Sequence, residues 1–433
     1  MRIAFISYEF PPDSSTGGIA TYVLQASRLL ANRGHEVEVF AATPDRSRTE
    51  CRDGTLVHWI GEANRKDFAV CAGHAFANRH RVASFDVVEG PEFNADARIA
   101  RQLCPRVPLV VRLHTPSILL YPYERHRGPW FYFRWNLGNA KALLRATTRL
   151  APPESWHWDD LSELRRWDSV ERQHCLSADL IASPSLSLMR WAKAEWHVPE
   201  ARIVHSPHPY VPSDDFLKIS TDAGQSDRLT IGYFGRLDRR KGIESFTTIV
   251  PYVCSRFPGT VFRFVGAVGE SSACPEKYDS WLRRRVGRFR TQLDFTGKVP
   301  LSEIPKYLAE VDICVFPSLW ENFPNVCLEA MSAGRPIVAS REGGMRDMLN
   351  EGECGKLADP WRPQKIAKQI TDLCASADMR RKLGDAARSR VLSRYGSDTI
   401  GREFEDVFQR AIQISERRAA KQADLADSSK AAT

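Results

Sequence analysis

The sequence predicts an α/β chain of two doubly wound domains. A strand–glycine loop–helix–strand pattern opens the chain at Ile3 and starts again at Leu229. Between them lies Ser206 to Asp227, rich in Pro, Ser and Asp and without helical periodicity. At 433 residues the chain is also too long for one ordinary core. The expected division is a first domain over 1–208, a linker over 209–227 and a second domain over 228–395.

The first unit begins with the apolar strand Ile3 to Ile6, then the helix-incompatible loop Pro11 to Gly18. Ile19, Tyr22, Val23, Ala26, Leu29 and Leu30 recur at helical spacing, Gly34 stops that helix, and Val37, Val39 and Phe40 begin the next strand. Such a βαβ unit implies a parallel sheet. Further strands are expected at Val87–Val88, Leu109–Leu113 and Leu180–Ala182. In the second half, strands are expected at Leu229–Phe234, Val261–Val265, Leu293–Phe295, Ile313–Phe316 and Ile337–Ala339, with a helix over Ile243–Phe257. Two helices close the chain near 378–394 and 398–414. The segment 415–433, polar and Ala-rich with no apolar stripe, reads as a disordered tail.

One segment, about 118–160, breaks this rhythm as an insertion. Between Tyr121 and Arg149 there are six Lys or Arg, a single acid, Glu124, and seven aromatics. Interleaved basic and aromatic residues suit an interfacial surface at a membrane and a lipid-linked partner; the alternative is core aromatics with solvated arginines.

Composition narrows the function. The net charge of +8 favours anionic partners, and no nucleic-acid-binding motif accompanies it. Ten scattered cysteines without a C-x-x-C pair read as reduced thiols of a cytoplasmic protein. Arg2–Ser7 reads directly as a strand, which leaves no room for a signal peptide, and no apolar run approaches the roughly 20 residues of a spanning helix. The absence of G-x-G-x-x-G and of G-x-x-x-x-G-K-[ST] counts against dinucleotide redox enzymes and Walker-type ATPases.

The most informative feature is an acid pair. Glu321 and Glu329 bracket Asn322-Phe323-Pro324-Asn325-Val326-Cys327-Leu328 just past the apolar run Ile313–Phe316. In parallel sheets, ligands bind at the carboxyl edge of the strands. Pro324 suits a first helical turn, so Glu321 is expected in the loop and Glu329 a little over one turn into a helix. Carboxylates there accept hydrogen bonds from vicinal hydroxyls, and free backbone N–H groups over Asn322–Asn325 suit hydroxyls or phosphate. Arg236 and Lys241, in the glycine-bounded loop Gly235–Gly242, offer a bidentate donor and a point charge for a diphosphate, while Arg239 and Arg240 read as solvated. Gly17-Gly18 let a ligand approach backbone N–H groups. His114, at the end of its strand, could touch a substrate or handle a proton near neutral pH. His205 and His208 look unremarkable.

Together these residues resemble the retaining glycosyltransferases of family 4, which have the two-Rossmann GT-B fold. The likeness rests on the Gly17-Gly18 loop, His114, Gly235-Arg236 through Lys241-Gly242, the acid pair, and Gly334-Arg335-Pro336 leading to Gly343-Gly344. It implies a nucleoside-diphosphate-sugar donor, a glycan or lipid-linked glycan acceptor in cell-surface polysaccharide synthesis, and retention of anomeric configuration. It further implies that Arg236 and Lys241 neutralise the diphosphate, that Glu329 binds the ribose, and that Glu321 with Asn322–Asn325 holds the sugar. His114 would contact that sugar, Gly17 and Gly18 would close on phosphate or acceptor, and the final helix, 396–414, would cross back to the first domain. No D-x-D motif is present, so neither metal nor other cofactor is expected. Localisation is expected to be cytoplasmic, with peripheral contact at the inner membrane face. Asn322 stands where many members have Gly, and Asp347 where Glu is common. The alternatives are a silent sugar-nucleotide-binding or scaffold protein, or an epimerase or phosphorylase of the same fold.

Overall fold

The computed structural model describes residues 1–14, 17–61, 64–124, 158–221, 228–269 and 276–431. From Arg125 onward the basic and aromatic run of the insertion therefore lies outside the described residues.

Apolar β-branched runs make the strands, and two sheets result. The first contains β1 (Arg2–Ile6), β2 (Glu36–Thr43), β3 (Arg48–Arg52), β4 (Thr55–Gly61), β5 (Val87–Pro91), β6 (Leu109–Arg112), β7 (Leu180–Ser183) and β8 (Ile203–His205). Its order is β3-β4-β2-β1-β5-β6-β7-β8. The second contains β9 (Thr230–Phe234), β10 (Val261–Val265), β11 (Leu293–Gly297), β12 (Ile313–Phe316), β13 (Ile337–Ser340) and β14 (Lys356–Ala358), in the order β11-β10-β9-β12-β13-β14. Ladders are parallel except β3 on β4. In both sheets the order reverses beside the first strand, which makes the switch-point crevice of a doubly wound fold.

Several strands lack an apolar run long enough to announce them. The hairpin β3–β4 turns at Asp53-Gly54, both with positive φ, and Asp-Gly is the sequence signal for such a turn. β8 and β14 are three-residue strands at the sheet edges. The linker contains a one-turn helix, Asp214–Leu217.

The chain end departs from expectation. Residues 415–431 are not a disordered tail; they continue one helix, Ser397–Ala431. A docked helix propagates without a new nucleation cost, and Ala, Arg, Lys and Gln sustain it without an apolar stripe. Arg418 pairs with the buried Asp179, so the extension is anchored to the first domain.

This helix crosses the first domain. Arg33 and His35 each meet Glu405 at 2.9 Å. Phe404 is buried beneath the Arg112 guanidinium, 4.3 Å from its ring centre. Arg112 itself is fully buried. It donates to Glu89 at 3.2 Å and to the Ser206 carbonyl oxygen at 2.9 Å. One apolar cluster runs from Phe5 and Val110 through Phe404 and Phe408 to Phe323 and Met345, so both domains share it.

Removing one member of a buried ion pair strands the other charge and costs about 3–5 kcal/mol. Arg112→Met is therefore expected to lower the urea midpoint strongly. Adding Glu89→Gln should recover part of the loss; a double variant as unstable as the sum of the singles would contradict the pairing.

Candidate active site

The carboxyl edges of the two sheets meet, and the acid pair stands on the second. Past β12 the chain runs through Pro317–Trp320 to Glu321, which bridges to Gly343. The helix Asn325–Ser332 follows, with Pro324 at its N-cap and no side-chain cap. Its first N–H groups are thus available to a ligand.

Glu321 is buried, and its Oε1 accepts from Arg240 at 3.0 Å and from Lys241. Burial pushes its carboxyl up, but the two cations outweigh it and hold the group below the usual carboxylate range. Two backbone facts place those cations. Gly242 has φ +74°, and a Cβ there would collide with the Pro317 carbonyl oxygen; the Arg240 carbonyl accepts from Leu319 N at 2.8 Å. The basic loop is pressed against the exit of β12. Arg240 is therefore drawn into the site rather than solvated. Arg239 is also largely covered, 3.8 Å from Glu244. Arg236 behaves differently: its side chain is 60% exposed and pairs with Asp238 at 2.7 Å. The same aspartate accepts from Lys241 N at 2.9 Å.

The Glu329 carboxylate has no ion-pair or hydrogen-bond partner among the described residues. Burial pushes its carboxyl up to about 7. A half-buried acid without a partner, one helical turn from Asn325, is ready for hydroxyl donors.

The first domain contributes an aromatic nest. The His114 ring lies 4.9 Å from both Tyr22 and His208, and His208 lies 5.4 Å from Phe323. His208 is thus a buried cleft residue. Burial, with the Arg112 charge second, holds His114 down to about 3, so its ring stands neutral near neutral pH. Gly17 and Gly18 are exposed at the start of the helix Gly18–Asn32, which has no side-chain cap. One turn later Tyr22 packs on His114, which puts the glycines at the same edge.

Behind His114 lies an acid pair that sequence reasoning missed. Glu92 accepts from His114 N at 2.7 Å, and Glu171 accepts from Ser117 Oγ at 2.7 Å and Asn94 N at 3.2 Å. Burial, then the Glu171 charge, pushes Glu92 up to about 8. Burial brings Glu171 to about 7. An acid so raised binds its proton more tightly in the folded state. Its contribution is full below the ordinary value of 4.5 and is lost as pH rises through about 8. Glu92→Gln keeps an acceptor for His114 and carries no charge. Its melting temperature relative to wild type should rise between pH 5 and pH 8.5; a constant offset would contradict this account.

Asn322 is buried and fully engaged: Nδ2 donates to the His114 carbonyl, and Oδ1 accepts from Ser185 Oγ at 2.7 Å. What the loop leaves for a ligand is mainly backbone. Asp347 accepts from Leu186 N across the cleft at 2.7 Å.

Comparisons agree with this architecture. Residues 16–213 match the model of Glycosyltransferase Family 4, and residues 228–376 match that of Glycosyl transferases group 1. An uncharacterized glycosyltransferase of Methanocaldococcus jannaschii is 23% identical, over 96% of this chain and 100% of its own length. A GDP-mannose-dependent alpha-(1-6)-phosphatidylinositol monomannoside mannosyltransferase of Mycobacterium tuberculosis is 24% identical over 94% and 97%. Among solved structures, sucrose-phosphate synthase from Thermosynechococcus elongatus superposes with a TM-score of 0.67 at 18% identity, covering 95% of this chain and 99% of that one. The Anabaena protein HepE in complex with UDP gives 0.65 at 17%, covering 94% and 100%. With two Rossmann-like domains and both family models matched along its length, the chain belongs to the family 4 glycosyltransferases and has their GT-B fold.

Proposed function

We propose that this glycosyltransferase moves a sugar from a nucleoside-diphosphate-sugar to a glycan or lipid-linked glycan of the cell surface, with retention and without a metal. The observation that carries the reading is the charge arrangement at Glu321. A buried carboxylate held by Lys241 and Arg240 sits at the sheet edge, beside an open helix start and a second acid whose carboxylate has no partner among the described residues. A diphosphate would draw Lys241 and Arg240 towards itself and leave Glu321 to accept hydrogen bonds from the sugar hydroxyls. Preorganised cations at a departing diphosphate are a large source of rate. Arg236, exposed on the same loop, is placed to swing in from Asp238. Glu329 would take the ribose diol, and neutral His114 would face the sugar from the first domain. HepE, with UDP and UDP-glucose in its crystal structures, supports the donor class. The mycobacterial relative's name supports a lipid-linked acceptor.

A diphosphate held by side-chain cations needs no metal, so activity should survive EDTA; restoration by magnesium after a loss would overturn that part. Lys241→Ala should lower kcat by about 10²–10³, the scale of removing one transition-state donor. Nucleoside diphosphates should raise the melting temperature of the wild type. Retention is read directly from the product's anomeric NMR signal.

The ribose role has its own pH signature. Hydroxyl donors favour the ionised form of Glu329, so binding releases a proton. Nucleotide affinity should therefore increase from pH 6 to pH 8 as this group ionises around 7, and Glu329→Gln should flatten that slope. An equal slope in the variant would assign the ribose elsewhere.

A further inference from the structure

Four side-chain contacts cross the cleft at one place, one of them from Asn322 Nδ2 to the His114 carbonyl. Ser185 caps the first-domain helix Leu186–Glu195 by accepting from Leu188 N at 3.2 Å, and its hydroxyl donates to Asn322 Oδ1 at 2.7 Å. Leu186 N donates to Asp347 Oδ2 at 2.7 Å. Ser187 Oγ donates to the Gly343 carbonyl at 2.9 Å. The seam is tight: a Cβ on Gly344 would collide with the Asn322 carbonyl oxygen and crowd Ser185.

The amide orientation of Asn322 follows from its neighbours. The His114 carbonyl can only accept, so the group facing it is Nδ2. The Ser185 hydroxyl already accepts from Leu188 N, so its proton is available for Oδ1. Both ends of the amide are matched. His114 is thereby held on two sides, its N–H by Glu92 and its carbonyl by Asn322. Glu321, which meets the cations, is the adjacent residue in the chain.

We propose that Asn322 is a positioning residue: its side-chain amide sets His114 of the first domain in register with Glu321 of the second, and so holds the cleft closed. A glycine here would leave the Ser185 hydroxyl proton without its acceptor and the His114 carbonyl with the Thr115 hydroxyl alone, so nothing from the second domain would hold it. This rests on the sugar-transfer reading only for its kinetic consequence, because the tie itself exists in the free protein.

The test uses the full-length chain. Asn322→Ala removes the tie. Asn322→Asp sets a carboxylate oxygen against the His114 carbonyl, and should open the cleft further. Expected are an increased radius of gyration by small-angle X-ray scattering and faster amide exchange at Leu186–Leu188, both larger in Asn322→Asp. Transfer kcat should fall about tenfold or more, while the Kd for UDP or GDP, whichever the wild type binds, changes less than threefold. Asn322→Ala and Ser185→Ala should be non-additive in a double-mutant cycle, as residues sharing one hydrogen bond are. Unchanged scattering and exchange in both variants would overturn the tie. Unchanged kcat with altered scattering would overturn the positioning role. A wild type that neither binds nucleotide nor transfers sugar would count against the functional reading, while the scattering result would still decide the tie.

Discussion

The architecture depends on one buried charge. Arg112 ends β6 with no exposed surface, and its guanidinium joins Glu89 on β5, Ser206 just past β8 and Phe404 on the returning helix. Tyr22 completes the ring of partners through Glu89 and its own face. A charge inside a sheet is tolerable only when its partners are fixed. Fixing these partners places the first helix, the chain just past β8 and the C-terminal helix against the same sheet edge. His114, two residues on, inherits a rigid support and a neutral ring.

The second domain uses electrostatics in the opposite sense. Its buried carboxylate, Glu321, is neutralised by two cations of one loop, Arg240 and Lys241. Such a pair is costly to bury unless its geometry is good and further hydrogen bonds complete it. In the first domain the charge network sets a framework. In the second it gathers two cations on one carboxylate at the exit of β12. The amide of Asn322 joins the two.

Much of the fold was legible in the sequence because its strands are short apolar runs and its helices are periodic. The repeated βαβ pattern at Ile3 and Leu229 gave the two sheets. β3 and β4 were not legible from hydrophobicity, since Arg48–Arg52 is polar; the Asp53-Gly54 turn was the available signal. The helix beyond Ser415 was hidden because a solvated helix continuing a docked one needs no apolar face. Glu89 and Arg112 were readable in principle: unlike charges in two otherwise apolar runs require each other.

For the site, the sequence by itself determined the inventory: two acids around a helix start, a glycine-bounded basic loop, a histidine at a strand end, and the family these resemble. Only the tertiary structure decided the assignments within it. It chose Arg240 beside Lys241 for Glu321 and turned Arg236 towards Asp238. It brought His208 to His114 and Asn322 to Ser185. The physical reason is that side-chain direction in a loop is set by what the backbone is pressed against. Here that is the Pro317 carbonyl against Gly242 and the facing domain against Gly344, and neither contact is local in sequence.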